Sequence, residues 1–98
     1  MFYFYILKCK DGSLYCGSAK DLKAREAMHN SGKGSAYVRS RGGGKIIYHE
    51  KFRSWGKTLQ REAQVKKISR ENKLKLIKFY GKSRPLPNGP QPARRRNA

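Results

Sequence analysis

Acid is scarce in this chain. Its 98 residues hold six Asp and Glu against 24 Lys and Arg, a formal charge of +18. So one-sided a field points to a polyanionic partner, nucleic acid before any other. Cysteine is scarce too, and Cys9 and Cys16 do not make a disulfide framework. On paired strands, a two-residue turn would leave them diagonal neighbours about 7–8 Å apart, beyond disulfide reach. An odd-numbered turn would send them to opposite faces. Both read as buried thiols of a reducing compartment. No apolar run is long enough to span a membrane, and no signal-peptide pattern opens the chain, so a cytoplasmic protein is expected. No basic helix carries a bulky apolar face, which argues against a membrane surface as partner. Proline is confined to residues 85–92. From Gly81 onward the composition cannot form a core, and residues 81–98 are expected to be a disordered basic tail after one domain of residues 1–80. The tail holds five cations (Lys82, Arg84, Arg94, Arg95, Arg96), and taking them from +18 leaves the domain at +13.

What remains is a compact pattern of strands and helices. Phe2 to Cys9 is apolar or aromatic on both alternating sets, the mark of a central strand covered on both faces. Lys10-Asp11-Gly12 signals a hairpin turn, and Ser13 to Ala19 returns as a second strand. Asp21 caps a helix that runs to about Asn30. Residues 31–44 read as a Gly- and Ser-rich loop, or a short helix between loops. Lys45 to Phe52 is a third strand. Ser54 caps a helix over 55–68, and Ser69 another over 70–80 carrying Leu74, Ile77 and Phe79. The expected fold is α+β: a small three-stranded antiparallel sheet flanked by helices.

Several fragments on this frame stand in a telling order. They are Phe4-Tyr5-Ile6, Tyr15-Cys16-Gly17, Asp21 to Arg25, His29 to Gly34, and Arg61-Glu62 followed by Lys66 to Arg70. Together they resemble the GIY-YIG nuclease family in its short stand-alone bacterial form, over roughly residues 2–80. Tyr3 stands where the first motif has glycine, and Cys16 where the second has isoleucine. The resemblance implies a single-ion, metal-dependent endonuclease in which Tyr5, Tyr15, Arg25, His29 and Glu62 form the site. It also implies an asparagine after the glutamate, for which Asn72 is the nearest candidate.

The residues can be weighed beside that resemblance. Asp11 is explained by the turn, Asp21 by the cap, Glu26 and Glu71 as solvated helix residues, and Glu50 lies near a strand end. Glu62 is three residues after Leu59 and three before Val65, on the apolar side of its helix. A carboxylate there needs an ion or a partner, and Lys66, four residues on, is an equally good partner by spacing alone. The resemblance tips the choice to a metal ligand. One carboxylate suits one Mg²⁺ or Mn²⁺, with water and phosphate oxygens completing its shell. Arg25 and His29 share a helix face, and a guanidinium can meet two phosphate oxygens as charge grows on them. His29 reads equally as a site residue and as a structural histidine.

For Tyr5 and Tyr15 to share a phosphate, they must lie on one face. That demands a three-residue turn, in which Tyr5 pairs with Gly17 and Gly12 takes a left-handed bulge position. Tyr5 is then the expected proton acceptor for the attacking water, helped toward the phenolate by Arg25 and the metal, with Tyr15 beside it; the reverse order is also open. Gly17 is expected to allow close approach of a backbone or a DNA strand. Tyr3, Tyr37, Tyr48 and Tyr80 read as core. Lys33, Arg39, Arg41 and Lys45 flank a flexible Gly42–Gly44 run that reads as a phosphate-gripping loop but lacks the P-loop pattern. Trp55 reads as a helix-start anchor or a base-stacking residue. Cys9, Cys16, His29 and His49 are not spaced as zinc ligands. The expected substrate is DNA, branched by analogy with relatives that act in repair and recombination. The alternative is a non-catalytic RNA- or ribosome-associated binder, which explains the charge but not Glu62.

Overall fold

The structure, a computed structural model, describes residues 1–81, with side chains through Phe79. The expected disordered tail lies outside the described residues except for Gly81, which closes a helical turn. Tyr80's side chain also lies outside them.

Strands β1 (Phe2–Cys9), β2 (Leu14–Ala19) and β3 (Gly44–Phe52) form one antiparallel sheet in the order β2-β1-β3. The α+β class, the three-stranded sheet and the central position of β1 are as expected. Helices α1 (Leu22–Asn30) and α2 (Ala36–Ser40) lie on one face; α3 (Trp55–Lys66), α4 (Arg70–Leu76) and a π-helical turn (Ile77–Gly81) lie on the other. Each face has its own core. Tyr3, Tyr5, Leu7, Cys9, Ala19, Leu22, Val38 and Ile46 form the first, and Phe4, Ile6, Cys16, Tyr48 and Val65 the second. Phe4, Tyr5, Ile6 and Leu7 are fully buried, each worth about 1.5–3 kcal/mol for an aliphatic or Phe-sized side chain. Cys9 and Cys16 are free and belong to opposite cores.

The hairpin takes the three-residue turn. Tyr5 pairs with Gly17 and Leu7 with Tyr15. Gly12 has φ 90° and donates to the Cys9 carbonyl at 2.9 Å, the left-handed position that only glycine occupies without strain. Asp21, Ser54 and Ser69 cap their helices, accepting from the backbone N–H of Ala24, Lys57 and Asn72. Such caps are typically worth about 1 kcal/mol.

One irregularity re-aims a strand. Ile6 pairs with Tyr48 but Leu7 with Ile46, so Ile47 is an extra residue in β3. Without this bulge Ile46 and Tyr48 would share a face; with it they enter different cores. Glu26 accepts the Ile46 N–H at 2.7 Å. Expected to be solvated, Glu26 instead ties α1 to the bulge. Glu50 is likewise no free strand-end acid. It accepts from Arg61 Nε at 2.8 Å and Nη2 at 3.0 Å, and from the Tyr48 hydroxyl. Leu59 is exposed, so the buried side of α3 is set by Thr58 and Val65 rather than by Leu59. Leu74 and Phe79 are exposed as well. Among the described residues no helix is long and apolar enough to cross a membrane.

Candidate functional site

Tyr5 and Tyr15 project from neighbouring strands onto the α1 face, their ring centroids 6.4 Å apart. Tyr5 is fully buried and Tyr15 partly so. A β-carbon at Gly17 would meet Tyr5 Oη at 2.5 Å and Cζ at 2.6 Å. The close neighbour that Gly17 admits is therefore the Tyr5 phenol, not a backbone or a DNA strand. By lacking a side chain, Gly17 lets a phenol from the central strand lie across the edge strand.

α1 brings His29 and Arg25 to the same spot, one turn apart. His29 is buried. Its Nδ1 accepts the Ser35 N–H at 3.3 Å, and its Nε2 lies 3.0 Å from Tyr5 Oη. A backbone N–H can only donate, so Nδ1 carries the lone pair and the neutral ring bears its hydrogen on Nε2. His29 therefore donates to Tyr5. Burial, and then the Arg25 charge, hold the imidazole below its usual pKa, which favours that neutral form. Arg25 Nη1 reaches the Ser18 carbonyl at 3.5 Å, and its charge acts on the Tyr5 phenol. Tyr5 Oη accepts from His29. Burial, reinforced by Tyr15, pushes the Tyr5 phenol above its usual pKa despite the opposing Arg25. Arg25 pulls toward the phenolate, as expected, but burial outweighs it.

Glu62 comes from the opposite layer. Its Oε1 accepts from Ser18 Oγ at 2.5 Å and its Oε2 pairs with Lys66 Nζ at 2.9 Å. Ser18 thus touches Arg25 through its carbonyl and Glu62 through its hydroxyl, bringing the two to either side of one residue of β2. The ion pair with Lys66 forms, yet Lys66 is half exposed while the carboxylate is largely covered. Among the described residues no three His, Cys, Asp or Glu gather as a metal cluster. Both Glu62 oxygens are engaged, by Ser18 and Lys66; a hard cation here would have Glu62 as its carboxylate and would take its other oxygens from outside the protein. Asp11 binds Ser13 within the turn and Asp21 caps α1, as expected.

The candidate phosphate contacts sit beyond α1. Arg39 donates to the Gly32 carbonyl at 3.3 Å. Arg41 faces Asp11 at 3.4 Å and lies over the Tyr37 ring. Lys33 and Lys45 are exposed. The glycine run expected to be flexible is held: Asn30 accepts from the Gly44 N–H and donates to its carbonyl, each at 2.9 Å. Gly42 and Gly43 make a left-handed turn there, with φ 81° and 86°. Tyr3 and Tyr48 are core, but Tyr37 is not: it is exposed and stacks on Tyr15. No local sequence signal marks that contact, because it joins β2 to α2 through the fold. Trp55 is exposed and packs edge-on against Phe2, centroids 5.4 Å apart. Asn72 lines a groove of about 360 Å³ between α3 and α4, with Arg61, Val65 and Leu76.

Comparison with known proteins identifies the family. Residues 1–75 match the GIY-YIG catalytic domain. A UPF0213 protein of Staphylococcus saprophyticus is 48% identical over 75 residues, 76% of this chain and 92% of the relative. A UPF0213 protein of Oceanobacillus iheyensis is 44% identical over 77 residues, 79% of this chain and 90% of the relative. The solution NMR structure of a UPF0213 protein from Bacillus halodurans superposes with a TM-score of 0.55 at 40% identity, covering 84% of this chain and 88% of that one. The chain belongs to the GIY-YIG nuclease family.

Proposed function

We propose that this protein is a divalent-metal-dependent endonuclease that hydrolyses DNA phosphodiester bonds, selecting branched or otherwise structured DNA of the kind handled in repair and recombination. One observation carries the reading: two neighbouring phenols lie on the face of the sheet from which Arg25 reaches Ser18, and Ser18 joins that guanidinium to a lone carboxylate from the other face. The charge of +18 supplies the attraction for the phosphate backbone. The described residues leave little surface for reading base sequence, which favours selection by shape.

In this reading the scissile phosphate rests at the β2 edge. The Arg25 fork meets two of its oxygens, where negative charge grows during attack. Tyr5 keeps its proton because it is buried, and orders the site from beneath with its ring against Tyr15. His29 fixes the Tyr5 ring through the hydrogen on Nε2. A phenol accepts a proton only as the phenolate, a form that neighbouring cations favour. The partly exposed Tyr15 is the phenol that the attacking water can reach, so the reverse of the expected order is adopted. Glu62 would hold a Mg²⁺ or Mn²⁺ ion, with water and phosphate oxygens completing the shell. The ion, when bound, supplies Lewis-acid neutralisation of the phosphate charge. Lys33, Arg39, Arg41 and Lys45 grip flanking phosphates.

Plasmid nicking and cleavage of flaps, forks and four-way junctions with Mg²⁺ or Mn²⁺ test the proposal. Glu62→Ala and Arg25→Ala are expected to abolish cutting while DNA binding largely survives. Variants that cut like the wild type remove these residues from the mechanism. If no ion yields cleavage and affinity simply falls with salt, the chain is a non-catalytic nucleic-acid binder.

A further inference from the structure

Tyr37 is a large aromatic residue left 40% exposed beside the site. Its ring stacks on Tyr15, with centroids 5.8 Å apart and planes at 29°. The Arg41 guanidinium lies 3.9 Å from the Tyr37 ring centre. Arg41 is steadied there by Asp11 at 3.4 Å and by donation from Nη1 to Ser40 Oγ at 3.1 Å. Its Nε is nonetheless buried without a hydrogen bond, because the approach to Asp11 lacks the required geometry. Tyr37 thus touches Tyr15 and the Arg41 guanidinium in a column at the rim of the site.

Core packing does not account for this column. A tyrosine serving only to bury area would be covered, as Tyr3 and Tyr48 are. Flat aromatic and guanidinium surfaces at the rim of a basic site are what unstacked bases lie on.

We infer that Tyr37 and Arg41 form a stacking platform for one unpaired nucleobase flanking the scissile phosphate. This rests on the nuclease reading of the neighbouring site and names its substrate class: DNA with an unpaired nucleotide beside the cut, as in a flap, a fork or a frayed junction. In continuous duplex that base stays within its own stack and the platform contributes nothing. Selection by shape then has a physical origin in a contact that only an open structure can make.

A role for Tyr37 in merely bracing Tyr15 would also lower activity when it is truncated, so the test reads binding instead. The probe is a fluorescein-labelled duplex with a short single-stranded flap. Its control is the same molecule with an abasic first unpaired nucleotide. Both are titrated without divalent ion, so no cleavage occurs. The wild-type protein is expected to bind the base-bearing flap about 5- to 150-fold more tightly than the abasic one. Tyr37→Ala should bind the two alike, whereas Tyr37→Phe should keep the preference. Equal wild-type affinity for both flaps overturns the inference, as does a preference that survives in Tyr37→Ala. If Tyr37→Ala fails to fold, Tyr37→Leu, which keeps bulk and loses the flat face, takes its place and should likewise bind the two flaps alike. A protein that discriminates the flaps but cuts no DNA keeps the platform and loses the nuclease reading. One that cuts flaps but binds both probes equally keeps the nuclease reading and loses the platform.

Discussion

Gly17→Ala is a one-carbon change with a sign that can be worked out in advance. Gly17 is not among the residues with positive φ, so alanine can adopt its backbone conformation. On backbone entropy alone, the change should stabilise the protein by about 0.4–1 kcal/mol. The new methyl, however, would sit 2.5 Å from Tyr5 Oη and 2.6 Å from Cζ, where ordinary contact is about 3.5–4 Å. Tyr5 must therefore retreat by about 1 Å. It has little room: the residue is fully buried, and its hydroxyl is held by His29 at 3.0 Å. Overpacking of this kind costs about 1–3 kcal/mol, which exceeds the entropic gain. A net loss of about 1–2 kcal/mol is expected, lowering the melting temperature by roughly 4–16 °C for a domain of this size. Cleavage should fall further than stability, by about 100-fold, because the displaced phenol leaves Arg25 and Tyr15. Thermal unfolding followed by circular dichroism gives the first quantity, and a nicking assay below the transition gives the second. In a Tyr5→Leu background the obstacle is gone, and Gly17→Ala should be neutral or slightly stabilising. If Gly17→Ala in the native background melts at or above the wild-type temperature, the close-approach argument is wrong.

Three further outcomes follow from other contacts. Glu26→Ala removes the acceptor of the Ile46 N–H at the β3 bulge; it should cost about 1–3 kcal/mol in urea unfolding while leaving the cleavage rate of the folded protein unchanged. His29 is held below its ordinary pKa of about 6.5. The unfolded chain therefore takes up the proton first, so this contribution is full above about pH 6.5 and is lost as pH falls through the folded value. Melting temperatures measured from about pH 7.5 down to 5 should decline, and the decline should be shallower in His29→Asn. Arg25→Lys keeps the charge but loses the planar fork; DNA affinity by anisotropy should change little, while cleavage drops by about 10²- to 10³-fold.

Local signals predicted most of the frame. The doubly apolar run from Phe2 to Cys9 gave the central strand, and the caps at Asp21, Ser54 and Ser69 gave three helix starts. The Lys10-Asp11-Gly12 turn fixed the register by parity, and with it the shared face of Tyr5 and Tyr15. The misreadings all involve partners distant in sequence. Glu26 looked solvated because its acceptor role is to a backbone N–H twenty residues away. Glu50 looked peripheral because Arg61 arrives from another layer. The Ile47 bulge has no turn residue to announce it. The Gly42–Gly44 run suggested flexibility from composition, yet Asn30, fourteen residues before Gly44, holds it. Leu59 misled because α3 meets the sheet along Thr58 and Val65. Tyr37 was assigned to the core by its residue type, although only the fold determines what lies against it.

The position of the site follows from the alternation of side chains along a strand. β1 is covered on both faces, so its side chains sort into two cores separated by the sheet. The phenols lie on the α1 side and Glu62 arrives from the α3 side. Groups from two faces can meet only at a rim, and at the edge strand β2 Ser18 is reached by both, by Arg25 through its carbonyl and by Glu62 through its hydroxyl. Two residues of β2 make the crossing possible. Gly17 lets the Tyr5 phenol lie across the strand. Ser18 offers its carbonyl to one layer and its hydroxyl to the other. The four groups thus converge without a dedicated loop, which suits a domain with so thin a core. The same logic carries a liability: a peptide or a second chain that added a strand to β2 would cover the rim where the proposed phosphate site lies. On this argument, edge pairing at β2 and DNA cleavage exclude one another.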